Sequence, residues 1–146
     1  MKDYHSKQAL MLAIETLSWL ELRYVNVPKA LADTVKQLNI QNDSVISVAN
    51  RLVRGTLHRK NILDKIIESV LAPSSLDDFN FGVQSFLRLF TYQTKFTDAP
   101  EAEAIVLANL GRSILGLKTI RPVEEAMGKI SQSNEHLEKA LKAISS

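Results

Sequence analysis

No cysteine occurs among the 146 residues. That absence excludes a disulfide framework, a thiolate nucleophile and a cysteine-ligated metal, and it fits a reducing compartment. Glycine and proline are scarce, at five and four residues. The chain therefore has few turn signals and favours long helices over many short strands. No apolar run approaches the roughly 20 residues that span a bilayer. The N-terminus, MKDYHSKQALMLAIETL, carries charges and a capping Ser6 where a signal peptide would place a clean apolar core. A cytoplasmic, mature protein is expected. The net charge of +2 is too small to demand a nucleic-acid partner by itself.

Catalytic patterns are missing as well. There is no glycine-rich nucleotide fingerprint, no phosphate-binding loop and no nucleophile elbow. His5, His58 and His136 are far apart, on polar positions, without metal-ligand spacing. Asp77-Asp78 and Glu124-Glu125 are adjacent pairs. Helical neighbours point about 100° apart, so neither makes an acid/base dyad, and solvated or capping roles explain both. No catalytic residue, metal or cofactor is expected.

What is present is an ordinary globular composition, 45% hydrophobic and 23% charged, in a length that suits one domain with a real core. Helical periodicity runs through the whole chain. The spacing predicts helices over Ser6–Leu22 and Pro28–Leu38, the latter burying Leu31, Val35 and Leu38. Ala72-Pro73-Ser74-Ser75 is a break. From Asp78 to about Lys95, Phe79, Val83, Phe86, Leu87 and Phe90 share one face, and this helix should be the most buried. Arg88 lies within it, so its guanidinium should be paired. Thr97-Asp98-Ala99-Pro100 starts a helix with Ala102, Ile105, Val106, Leu110 and Ile114 inward. After Gly116–Thr119, Pro122–Ile130 presents Val123, Ala126, Met127 and Ile130. A last helix, Asn134 to about Ile144, presents Leu137, Leu141 and Ile144. The expectation is one all-α domain, residues 1–146, of seven to eight helices.

The central stretch, Val45–Leu71, organises the reading. Asp43 or Ser44 should cap its first helix. Ile46, Ala49, Val53 and Leu57 form an apolar stripe, and Ser47, Arg51, Arg54 and His58 form a polar one. At the elbow Arg59-Lys60-Asn61 the chain turns, with Asn61 expected to cap the next helix. That helix carries apolar pairs at 62/63, 66/67 and 70/71, read as core. Residues 51–65 hold Arg51, Arg54, Arg59, Lys60 and Lys65 against Asp64 alone, a balance of +4. Residues 72–103 carry a balance of −3. Such polarity fits a solvated helix face or a binding patch.

Four motifs, in order, resemble those of NusB-like helical domains. Leu52-Val53-Arg54-Gly55-Thr56-Leu57 followed by Leu63-Asp64-Lys65-Ile66-Ile67 is similar to the family's "LV-x-G-x-L … LD-x-I" signature. Leu87–Gln93 resembles its "LRL-x-x-Y" helix. Glu103–Ala108 resembles "EAV-x-LA", and Val123–Ile130 lies where the family has "VNAVLR-x-I". The stretch GTLHRKNILDKII, with a basic triplet before Leu63-Asp64, and the pair Tyr92-Gln93 resemble the N-terminal RNA-binding domain of RsmB/Sun-type RNA cytosine-5 methyltransferases. The resemblance implies a NusB-like bundle. It also implies an RNA-binding module that positions rRNA or tRNA for an associated or fused methyltransferase. The other branch of the family, the free-standing antitermination factor, implies RNA and a ribosomal protein as partners. That enzyme chemistry uses an S-adenosylmethionine site and a nucleophilic cysteine, and this chain lacks both. Here the family's arginine-rich opening is reduced to Lys2, His5 and Lys7, and its C-terminal asparagine is replaced by Glu124. RNA contacts are therefore expected at the elbow, from Arg51, Arg54, His58, Arg59 and Lys60, with Lys65 at the margin. Arg88 and Gly55 read as structural. A protein-interaction module without RNA binding is the competing reading, resting on the amphipathic C-terminal segment and the acidic stretch.

Overall fold

The computed structural model describes residues 2–98, 101–116 and 120–132. Among these residues seven α-helices follow one another: α1 (Lys2–Leu22), α2 (Val27–Leu38), α3 (Asp43–His58), α4 (Lys60–Leu71), α5 (Phe81–Phe96), α6 (Glu101–Leu115) and α7 (Arg121–Gln132), with a short 3-10 helix at Leu76–Asp78. No strand occurs among the described residues, so the all-α expectation holds. The expected helix over 134–144, with Leu137, Leu141 and Ile144, lies outside the described residues, as does His136.

Helix α5 is the hub. It packs against α1, α3, α4, α6 and α7. Every residue from Val83 to Thr91 is buried, which is the signature of a helix enclosed on all sides rather than one with a single apolar stripe. Phe86 and Phe90 stack with ring centroids 5.9 Å apart. Helix α1 is the second organising element and touches α2, α3, α5 and α6. Its Leu12 and Ala13 are completely enclosed.

The helix boundaries follow from capping chemistry, and several differ from what sequence spacing predicts. Helix α1 begins at Lys2 rather than Ser6, because residues 2–5 contain no glycine or proline to stop it. Asn26 caps α2 by accepting from the Lys29 N–H at 2.9 Å. The helix ends where Asn39 takes a left-handed conformation, φ 54° and ψ 48°. The Ile40 and Asn39 N–H groups then donate to the Val35 and Lys36 carbonyls, closing the last turn, and Ile40 is buried beside it. Asn42, not Asp43 or Ser44, caps α3; its side chain accepts from Ser44 N at 2.9 Å and Val45 N at 3.2 Å. Asp43 thereby becomes the first helical residue, favourably placed against the helix dipole.

The elbow between α3 and α4 is tighter than expected. Arg59 alone separates the two helices and makes no side-chain cap. Its N–H donates to the Gly55 and Thr56 carbonyls, and its carbonyl accepts from Leu63 N at 2.9 Å. Asn61 is therefore inside α4 and caps nothing. Of the apolar pairs on α4 only Leu63, Ile67 and Leu71 reach the core; Ile66 and Val70 are half-buried and Ile62 is exposed. One-sided packing explains the difference, since adjacent helical positions diverge by about 100° and only one of each pair can face α5 and α7.

Helix α5 starts at Phe81, not Asp78, because Ser75 and Asp78 close a capping box around the 3-10 turn. Glu68 anchors that turn by accepting from Ser75 Oγ at 3.1 Å and Leu76 N at 3.0 Å. In α6, Leu107 and Leu110 are buried and Val106 is half-buried. In α7, Val123, Ala126, Met127 and Ile130 are all buried, as the periodicity predicts.

Candidate functional site

The surface that carries the six expected contact residues is built by α3 and the first turns of α4. Burial of Val45, Ala49, Val53 and Thr56 fixes the rotation of α3. The opposite arc then holds Ser47, Arg51, Arg54 and His58, all exposed. Arg54 Nε donates to Asn50 Oδ1 at 3.0 Å, a one-turn contact that steadies the guanidinium without neutralising it. Lys65 is exposed on α4. Arg51, Arg54 and His58 thus give α3 a basic face open to solvent.

The structure separates Arg59 and Lys60 from that face. The Arg59 guanidinium lies 5.7 Å from the Tyr92 ring centroid and 5.4 Å from that of Phe96, a cation–π arrangement that ties the elbow to α5. Lys60 Nζ contacts Glu21 Oε1 at 2.8 Å. The same carboxylate oxygen accepts from Arg88 Nη1 at 3.1 Å. Arg88 also grips Asp64 through Nε at 2.7 Å and Nη2 at 3.2 Å. Two cations and two carboxylates from α1, α4 and α5 thus form one network, and the pairing expected of Arg88 is present. Such bidentate geometry is what a guanidinium supplies and an ammonium cannot.

Gly55 has the packing role read from the sequence. A Cβ there would collide with the hydroxyl and Cζ of Tyr92. The close approach of α3 to α5 brings Tyr92 under the elbow, where Arg59 also meets it.

Glu21 was not legible as a partner, because it is 67 residues from Arg88 in the chain. A second pairing, Arg23 over Trp19 at 4.5 Å, has the local i, i+4 spacing that could have revealed it. The two adjacent-acid pairs have separate roles. Glu124 accepts from Arg112 Nε at 2.8 Å and Nη2 at 3.0 Å, and this hydrogen bonding holds the Arg112 guanidinium above its ordinary range, against the desolvation that lowers it. Glu125 pairs with Arg121, and Asp78 serves the capping box. Among the described residues no group of three His, Asp or Glu could hold a metal, and no helix is long and apolar enough to cross a membrane.

A sequence profile described as the NusB family matches residues 7–109, more than half of the chain. The chain belongs to the NusB family. No curated protein matches it. Two solved structures share its fold. A chain in the crystal structure of a plectonemic RNA supercoil aligns with a TM-score of 0.77 at 24% identity, over 88% of this chain and 95% of that one. A chain in the crystal structure of antitermination factors NusB and NusE in complex with dsRNA aligns with a TM-score of 0.76 at 23% identity, over 89% and 98%. The NusB-type bundle therefore sets the frame on which the α3 face is displayed.

Proposed function

We propose that this chain is a single, cytoplasmic, non-catalytic RNA-binding domain of the NusB family. In this reading it positions structured rRNA or tRNA for an associated or fused S-adenosylmethionine-dependent RNA cytosine-5 methyltransferase. The observation that carries RNA contact is the exposed stripe of Arg51, Arg54 and His58 on α3, with Lys65 also exposed on α4. Cationic side chains on one helix face meet phosphate and sugar and give affinity with little sequence readout. The solved complex of NusB, NusE and dsRNA supports RNA as the partner of this bundle. The methyltransferase assignment rests on His58-Arg59-Lys60 before Leu63-Asp64 and on Tyr92-Gln93, the two stretches that resemble the RsmB/Sun-type domain. They are also spatial neighbours, since Arg59 lies against Tyr92.

The alternative reading, in which the domain acts as a free-standing factor paired with a small ribosomal protein, is not favoured over the first. Fluorescence anisotropy of labelled rRNA hairpins and tRNA tests the shared core of both. Charge reversal at Arg51, Arg54 and Lys65 should abolish binding while circular dichroism stays unchanged; unaltered affinity would sink the RNA reading. Light scattering with a purified cytosine-5 methyltransferase catalytic domain, and separately with a small-subunit ribosomal protein, divides the two readings. A complex with the ribosomal protein alone overturns the methyltransferase assignment.

A further inference from the structure

At the end of α1 a cavity of about 190 Å³ opens between α1 and α2, lined by Trp19, Arg23, Val25, Ala30, Asp33 and Gln37. It is smaller than the roughly 300–1,000 Å³ of a site for a drug-sized ligand, so it suits one planar ring system rather than a whole nucleotide. Beside it Tyr24 is fully exposed, an aromatic ring with no fold-stabilising burial.

We propose that this cavity is a guanine-binding pocket. Its walls supply the two kinds of contact that recognise a base: flat stacking partners and edge-reading polar groups. The Arg23 guanidinium lies over the Trp19 ring, 4.5 Å from its centroid, so a base would stack on the outside of this pair and not between its members. Gln37 is already oriented, because its Oε1 accepts from the Trp19 indole N–H at 3.3 Å. That leaves the Gln37 amide NH₂ as a donor. Asp33 offers a carboxylate, which only accepts. Its one ion pair, to Lys29 at 3.1 Å, is largely exposed on both sides, so Asp33 remains open to a second partner.

This pairing of a carboxylate with an amide donor selects among the bases. Guanine alone presents two adjacent donors, N1–H and the 2-amino group, next to the O6 acceptor. Asp33 would take both donors and the Gln37 amide would donate to O6. Adenine offers a donor beside an acceptor, cytosine a donor beside two acceptors, and uracil a single donor flanked by acceptors; none satisfies the carboxylate twice.

The inference stands apart from the α3 face and is tested independently of it. Trp19 is the only tryptophan, so the protein has one indole N–H resonance, and it reports on this pocket. The probes are guanosine 5′-monophosphate and a uridine heptamer with one central guanosine. Adenosine, cytidine, uridine and inosine monophosphates serve as comparisons. A saturable shift of the indole signal with the mononucleotide identifies a free guanine nucleotide as ligand. A shift with the heptamer alone identifies a guanine within RNA. Inosine, lacking the 2-amino group, should bind about tenfold more weakly, and Asp33→Asn should weaken guanine binding by about the same factor while the circular dichroism is unchanged. Three results would overturn the proposal. One is no shift with either guanine probe. Another is equal shifts from all bases, or from the Asp33→Asn protein. The third is loss of the shift on reversing Arg51 and Arg54, which would place the ligand on α3.

Discussion

The Arg88 guanidinium holds the Asp64 carboxylate through two hydrogen bonds, of 2.7 and 3.2 Å, across the α4–α5 contact. Its remaining nitrogen reaches Glu21 on α1. One side chain, 9% exposed, thus fixes the mutual placement of three helices.

Replacing Arg88 with alanine should therefore be among the most damaging changes in the chain. It strands the Asp64 carboxylate, at 30% side-chain exposure, and leaves Glu21, at 23%, with Lys60 as its partner. Removing one partner of a fully buried pair costs about 3–5 kcal/mol; the partial exposure of these carboxylates lowers the expectation to about 2–4 kcal/mol. Arg88→Lys keeps the charge and loses the fork, so it should recover about half of that. Urea midpoints at constant slope measure both. An alanine variant as stable as the parent would show that the network contributes nothing net.

Gly55 gives a prediction whose sign is informative. In an open helix, Gly→Ala stabilises by about 1 kcal/mol. Here the added methyl meets the Tyr92 ring, and overpacking of this kind costs about 1–3 kcal/mol. Gly55→Ala should be net destabilising. Tyr92→Phe removes the hydroxyl but leaves Cζ in the way, so the double variant should recover only part of the loss. The coupling appears in a double-mutant cycle. Simple additivity of the two changes would overturn the close-approach account.

Gly55 and Arg88 were legible in the sequence for the same reason. A glycine inside a helical pattern and a cation amid apolar neighbours each violate a local rule, and each violation needs a packing answer. The apolar face of α7 was equally legible, because a clean 3.6-residue period leaves one face to bury. The proposed binding face is legible only in part. Counting charges over 51–65 cannot show which cations turn inward. That depends on Tyr92, Phe96 and Glu21, which come from other helices. Arg59 and Lys60 have the charge of contact residues, yet the fold engages both. The Trp19–Asp33 pocket left no sequence motif at all, since its walls come from two helices joined by a turn.

The capping residues make a paired prediction. Asn42 bridges the first turn of α3 with two accepted hydrogen bonds. Asn42→Ala should therefore cost about 1 kcal/mol. Asn61 is exposed within α4, so Asn61→Ala should change stability by less than about 0.5 kcal/mol. Thermal or urea unfolding separates the two. Equal losses would mean that Asn61 does cap α4 in solution, and that the one-residue elbow at Arg59 is wrong.

The division of the basic cluster into an outward and an inward set has a thermodynamic signature under salt. Each phosphate neutralised by a cation adds roughly 0.7–0.9 to the magnitude of the slope of log K against log salt. If Arg51 and Arg54 meet RNA phosphates, replacing both with alanine should lower that slope by about 1.5, with little change in the unfolding midpoint. Lys60→Ala should do the reverse. Its ammonium is held by Glu21 at 2.8 Å, so the slope should move little while stability falls by up to about 1 kcal/mol. Anisotropy titrations across a salt series, paired with urea unfolding of the same proteins, give both quantities. A large slope change from Lys60→Ala would show that Lys60 leaves Glu21 for the RNA, and that the network opens on binding.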